Sequence, residues 1–312
     1  MLILIAGITG NIGQHAARYA ISTGHQVRGL GRNPDKLDKS IRSGLESFIT
    51  SKTYYDIPAL DAACANVDAI ICAYSGTPEM HLDAQLLLLR AAERSGVNRF
   101  LAAGWNYDWR KIQFGIDEPI YDAIMSFHRH VALSSRIKPC HIFSGMLAEV
   151  FFGTNGQDGF TPKDDGVWDA HKPAGDKSMD IWGTGDEKWN FATEEDAGKL
   201  GIEVITKEGA EKGGFVSVCS WTCSLNELRE TYEKVRGSEV QVNRKGTVEE
   251  LEKWAVKQRE VMGPNRMWEW HRFWFHLFCV KGTWNLEGLQ NEEYPTFNPA
   301  TLVQFLREHP EV

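Results

Sequence analysis

Gly7, Gly10 and Gly13 stand three residues apart in GITGNIG, between an apolar run and a helix-like segment. That spacing suits the phosphates of a dinucleotide. The first glycine permits a tight turn, the second keeps a side chain away from the pyrophosphate, and the third lets helix pack on strand. Thr9, Asn11 and Ile12 complete the turn. The helix behind it would meet the phosphates with free amides and a partial positive charge. About 20 residues further on, an NAD-type site usually carries an acid for the ribose hydroxyls. Here the run ends GLGRNPDK, and Arg32 stands in that place. A guanidinium there can pair with a 2′-phosphate through a bidentate fork, with Lys36 as a second charge, so the pattern points to NADP(H) rather than NAD(H).

The elements that must hold this turn are legible as alternation. Short apolar runs (LILIAG, HQVRGL, ESFIT, DAIICAYS, NRFLAAG, CHIFSGML) are separated by amphipathic stretches such as 83–95, which Gly96 would stop. Six strands with crossovers predict an α/β fold, a doubly wound parallel sheet of the Rossmann type over residues 1–152. A smaller α+β lobe is expected over 153–312, interleaved with the core because 181–206 returns to it. Gly, Asp and Pro crowd the stretch from 153 to 176, predicting loops at the carboxyl edge of the sheet, where ligands bind. Ser224 with Glu227, Thr247 with Glu250, and Thr193 with Asp196 mark helix starts, and Asn298–Pro299 predicts a last one. A helix is predicted over 261–280 and carries MWEWHRFWFHLF, with Trp270, Trp274 and Phe278 on one stripe and Trp268 with Phe275 on another. Such a helix must be buried, packing the lobe on the core or walling a pocket for a flat substrate.

Composition narrows the partners. The 312 residues carry a formal net charge of −8 without a basic stripe, which argues against nucleic acid and for a small molecule. No apolar run approaches the roughly 20 residues that span a bilayer, so no membrane partner is expected. MLILIAG reads as a core strand, not a leader. The six cysteines lie scattered in apolar segments, and Cys219 with Cys223 lacks a second ligand pair. Buried free thiols in a reducing, cytoplasmic setting are expected, with no metal site. The chain is expected to be a monomer or homodimer.

GITGNIG, GLGRNPDKL, GVNRFLAAG and WNFATEEDAGKLGIEVI together resemble the NmrA-like and isoflavone reductase-like family of atypical short-chain dehydrogenases, in a subtype similar to those of filamentous fungi. The resemblance runs nearly end to end, through SLNELRETYEKVRG and NEEYPTFNPATLVQFL. It implies a Rossmann core binding NADP(H) and a lobe closing over a small, often aromatic, secondary metabolite. It also implies that Tyr74, Ser75 and Gly76, after the fourth run, and Gly104 and Trp105, after the fifth, lie beside the cofactor. The family's reductases carry a lysine in the next helix that relays a proton; here Met125 occupies its place. A thioether neither gives nor takes that proton. Tyr121, Tyr107 and His128 are the candidate replacements, with His130 close by and the acids Asp108, Asp117, Glu118 and Asp122 as further possibilities. Three functions follow: an NADP(H)-dependent reductase of an aromatic or polyketide-like metabolite, a non-redox isomerase or cyclase using an acid, and an NADP-sensing regulator.

Overall fold

A computed structural model describes residues 1–117, 119–154 and 167–312; Glu118 and the side chain of Trp268, both singled out above, lie outside the described residues. The first strand, β1 (Leu2–Ala6), sets the architecture. Its residues Ile3 to Ala6 are all fully buried, as a central parallel strand covered on both faces requires. Ile3 and Ile5 point to one face, where α1 (Asn11–Ser22) lies; Leu4 and Ala6 point to the other.

Around β1 the sheet grows by parallel pairing. On one side lie β2 (Gln26–Gly31) and, after α2 (Lys39–Gly44), β3 (Ser47–Thr50). On the other, following α3 (Ile57–Cys64), come β4 (Ala69–Cys72), then β5 (Phe100–Leu101) after α4 (Gln85–Arg94), and β6 (Cys140–Phe143) after α5 (Pro119–Ser134). Helices α3, α4 and α5 cover the Leu4 face through Leu60, Leu88, Leu89 and Phe127.

The run CHIFSGML does not stay in one sheet. After Phe143 the amides of Ser144 and Gly145 both donate to the carbonyl of Asn106, at 2.7 and 2.9 Å. The chain turns there, and β7 (Met146–Leu147) joins a second sheet ahead of α6 (Ala148–Phe152). Strand β8 (Ser178–Trp182) precedes β9 (Lys188–Ala192), which pairs with β7. Helix α7 (Glu194–Thr206) then returns to the Ile3 face and packs along α1, burying Ala197 and Leu200 against Ala16, Ala17 and Ala20.

A strand outside the six anticipated runs follows. β10 (Gly214–Ser217) pairs with β6 and completes a seven-stranded sheet in the order β10-β6-β5-β4-β1-β2-β3. β11 (Trp221–Ser224) pairs antiparallel with β9, and beyond α8 (Leu225–Arg236) the strand β12 (Gln241–Gly246) pairs with β8.

The capping pairs of Ser224 with Glu227 and Thr247 with Glu250 form reciprocal boxes at α8 and at α9 (Val248–Met262). Thr193 accepts from the Asp196 amide at 3.0 Å. Two boundaries differ from expectation. The helix expected over 261–280 starts only at Met267 as α10 (Met267–Val280), because Gly263, at φ 69°, ends α9. The last helix, α11 (Leu302–Glu308), is capped by Thr301 with Gln304 rather than by Asn298: the hydroxyl that reaches the third amide lies three residues later.

Candidate functional site

The glycine turn is built as its spacing requires. Gly7 adopts φ 81°, a left-handed conformation closed to most side chains. A Cβ on Gly13 would stand 2.5 Å from the Gly7 carbonyl oxygen and 2.8 Å from Ile8 Cα, so only glycine lets α1 approach β1 this closely. No side chain caps the first turn of α1, in contrast with α7, α8, α9 and α11. The first amides of a helix have no partner within it. They therefore face the opening formed by the turn.

That opening is a cavity of about 700 Å³. Gly10, Asn11, Ile12 and Gly13 form one end, and Ala73 to Gly76 with Gly104 to Asn106 continue the wall along the carboxyl ends of β4 and β5. Tyr121 and Ile124 of α5, Met146 and Leu147 of β7, and His271 and Phe275 of α10 close the far end. The far wall is apolar and aromatic: Tyr121 lies 6.1 Å and His271 5.2 Å from the Phe275 ring, centre to centre. Flat rings fit such a wall. Most of α10 serves the core instead; Trp270 is buried and donates its ring N–H to the Gly263 carbonyl at 3.0 Å.

Arg32 and Lys36 sit just beyond β2, exposed, outside the cavity wall. Asp35 between them is engaged by Arg42 at 2.6 Å, and among the described residues neither Arg32 nor Lys36 has an ion pair. The Arg32 guanidinium lies 6.0 Å from the Tyr54 ring centre, and Tyr54 meets Tyr74 of the cavity wall at 5.9 Å. Aromatic faces thus connect the cationic loop to the cavity. Thr9 points at the end of β2, its Cγ2 3.4 Å from where a Cβ on Gly31 would be.

The proton-donor candidates separate. Tyr121 lines the cavity, whereas Tyr107 is a core residue, its ring stacked on Trp284 at 4.3 Å and its hydroxyl 3.3 Å from the Cys279 Sγ. Burial pushes the Tyr107 hydroxyl far above its usual range. His128 points the other way, 3.3 Å from His141 in a cluster with Trp109 and Phe215, and His130 lies beside Arg90. Met125 is buried in the core, off the cavity. Asp108 caps a turn and pairs with Arg110; Asp117 and Asp122 accept from the amides of Gln113 and Gly115. Those acids are consumed by their own loop, which places acid catalysis by them outside the cavity.

Four further polar residues stand in the wall, His81, Asn106, Glu194 and His271, none of them among the site residues expected from the sequence. Glu194 follows the cap Thr193 directly, and its carboxylate accepts from Asn11 Nδ2 at 3.0 Å while its amide donates to Glu149 at 3.0 Å. Burial and then the neighbouring Glu194 charge push the Glu149 carboxyl up to about 8. The folded protein therefore keeps a proton that an unfolded Glu149 would lose near its ordinary value of 4.5. Stability from this group is present at low pH and falls as pH rises toward 8. Glu149→Gln, which still accepts from the Glu194 amide, should gain in Tm over the parent as pH is raised from 5 to 9. Melting curves that stay parallel across that range would refute the assignment.

Known proteins match this chain along most of its length. The model of the NmrA-like family matches residues 1–265. A probable pinoresinol-lariciresinol reductase 3 of Arabidopsis thaliana is 28% identical over 236 residues, 74% of this chain and 72% of the relative. The solved structure of AtPrR2 with NADP+ and (+)pinoresinol superposes with a TM-score of 0.79 at 19% identity, covering 98% of this chain and 97% of that one. The binary complex of leucoanthocyanidin reductase with NADPH, from Vitis vinifera, gives 0.76 at 18% identity, covering 99% of each chain. At these identities the structural likeness speaks for the fold.

Proposed function

The chain belongs to the NmrA-like family, and on that premise we propose that it is an NADP(H)-dependent oxidoreductase acting on a small aromatic metabolite. The observation that carries this is the continuity of one cavity, from an uncapped helix N-terminus behind a glycine turn to an aromatic far wall. Its relatives include pinoresinol-lariciresinol reductases and a phenylcoumaran benzylic ether reductase, names that describe aromatic substrates.

The residues fit the cofactor. The amides of Asn11, Ile12 and Gly13 would hold the pyrophosphate, and Gly10 leaves room for it, with only the Gly7 oxygen within 4 Å of its would-be Cβ. Arg32, with Lys36, would pair with the 2′-phosphate, and Tyr74 to Gly76 with Gly104 and Trp105 would flank the rest. NADPH, when bound, supplies a hydride. Among the described residues Tyr121 is the one proton-donor candidate from the sequence that lines the cavity, and we assign its hydroxyl to protonate the substrate. Phe275, Met146 and Leu147 exclude water and hold the ring.

Titration of parent and Arg32→Ala with NADPH and NADH tests the cofactor assignment. Arg32→Ala should bind NADPH about tenfold to a hundredfold more weakly, the scale of a charge-assisted contact, with NADH unchanged. Equal losses for both would remove the 2′-phosphate from Arg32. The redox assignment is tested separately, by NADPH consumption over a panel of enones, lactols and benzylic ethers. Tight NADPH binding with no consumption across the panel would overturn it.

A further inference from the structure

The loop ahead of α5 has little apolar anchorage. Phe114 and Ile116 are both exposed, and the segment from Gln113 to Asp117 is held by hydrogen bonds instead. Asp117 accepts from the Gln113 amide at 2.6 Å, and Asp122, in the first turn of α5, accepts from the Gly115 amide at 2.8 Å. Loop and helix start thereby form one unit. Segments with few buried apolar contacts lie at the low-stability end of a fold, so a tie from outside the loop governs where this unit sits.

That tie is Arg259 of α9. Its Nη1 donates to the carbonyls of Ile116, at 2.6 Å, and Asp117, at 2.9 Å. The same guanidinium lies over the rings of Trp270 and Trp274 of α10, 5.1 and 5.3 Å from their centres. A guanidinium suits both demands, because its edge carries the N–H donors and its face lies flat on rings; an ammonium has donors and no face. Trp270 and Trp274 each stand directly before a residue of the cavity wall, His271 and Phe275, while the loop leads to Tyr121 and Ile124 of the same wall. One half-buried cation thus fastens both helices that close the far end, and Trp284 backs them from within.

The geometry points to Arg259 as a positioning residue that holds α5 and α10 at the spacing that encloses the nicotinamide end of the dinucleotide, with Tyr121 set opposite Phe275. It acts through those helices and does not line the cavity. The inference rests on the NADP(H) reading of the cavity.

The test reads the emission of bound NADPH. A dihydronicotinamide ring that is unstacked from its adenine and shielded from water emits more strongly and at shorter wavelength, so the parent should enhance and blue-shift it. Arg259→Ala should lose most of that enhancement. Its affinity for 2′,5′-ADP, which carries the adenosine and its 2′-phosphate without the nicotinamide half, should stay within about twofold of the parent, since none of the groups that Arg259 touches belongs to the glycine turn. Arg259→Lys, which returns charge and donors without the flat face, should recover at most part of the emission. Arg236→Ala is the control for lost stability alone. Its guanidinium also fastens carbonyls, those of Leu306 and His309, each at 2.6 Å, away from the cavity. That variant should melt lower and keep the parental emission. Parental emission in Arg259→Ala, equal loss in Arg236→Ala, full recovery with lysine, or a parent that binds NADPH without enhancement would each overturn the role of Arg259 while leaving the cofactor assignment standing. A parent that binds neither NADPH nor 2′,5′-ADP would overturn both.

Discussion

Gly10→Val will bind NADPH at least about a hundredfold more weakly while melting close to the parent, whereas Gly13→Ala will melt lower. Glycines three residues apart in one motif thus fail in different ways. Gly10 is extended, at φ −80°, and its would-be Cβ meets only the Gly7 oxygen, at 3.3 Å. The added isopropyl group points toward the space where the amides of α1 would receive phosphate, so binding is lost without strain in the fold. Gly13 instead faces backbone at 2.5 and 2.8 Å, which cannot yield unless α1 lifts from β1. Overpacking of this kind costs about 1–3 kcal/mol, and about 2–4 °C of Tm per kcal/mol in a chain of this class. Isothermal titration with NADPH and thermal melts of both variants decide the matter. A Gly10→Val protein that retains parental affinity would place the phosphates elsewhere.

Trp284→Ala will lose about 3–5 kcal/mol of stability and, where it still folds, will lose the aromatic end of the cavity before the phosphate end. Trp284 is 1% exposed and stacks on Tyr107 at 4.3 Å, with Phe275 and Phe278 each at 4.7 Å and Tyr121 at 5.3 Å. Two of those neighbours, Tyr121 and Phe275, line the cavity. Removing the indole leaves both without backing, so the far wall collapses inward. Denaturant melts report the first effect. Affinity for 2′,5′-ADP, held at the phosphate end, should persist at low temperature; its loss in step with stability would mean that the two ends are not independent.

What the sequence discloses follows from how local each cause is. A glycine turn, a cap and an apolar strand act over a few residues, so Gly7 to Gly13, Ser224 with Glu227, and β1 to β4 were all legible. β10 was not, because four residues that begin with the second of two glycines form a strand only when the β6 edge is there to pair with. The same reason explains the proton-donor candidates. Tyr107, Tyr121 and His128 are close in sequence, yet only Tyr121 turns to the cavity. Glu194 and His271 come from distant segments that only the completed fold assembles, and His81 depends on a π-turn that periodicity does not reveal. His271 had a faint signal, standing one helical turn before Phe275 on an otherwise apolar surface.

The return of α7 to α1 and of β10 to β6 also sets an order on synthesis. As the chain leaves the ribosome, the first six strands emerge with the α7-facing flank of α1 bare and the edge of β6 open. Ala16, Ala17 and Ala20 find their cover only when Ala197 and Leu200 arrive, and the open edge is paired only when Gly214–Ser217 does. A nascent chain halted between those points would present apolar helix surface and unpaired strand to its surroundings, the combination that invites chaperones and aggregation.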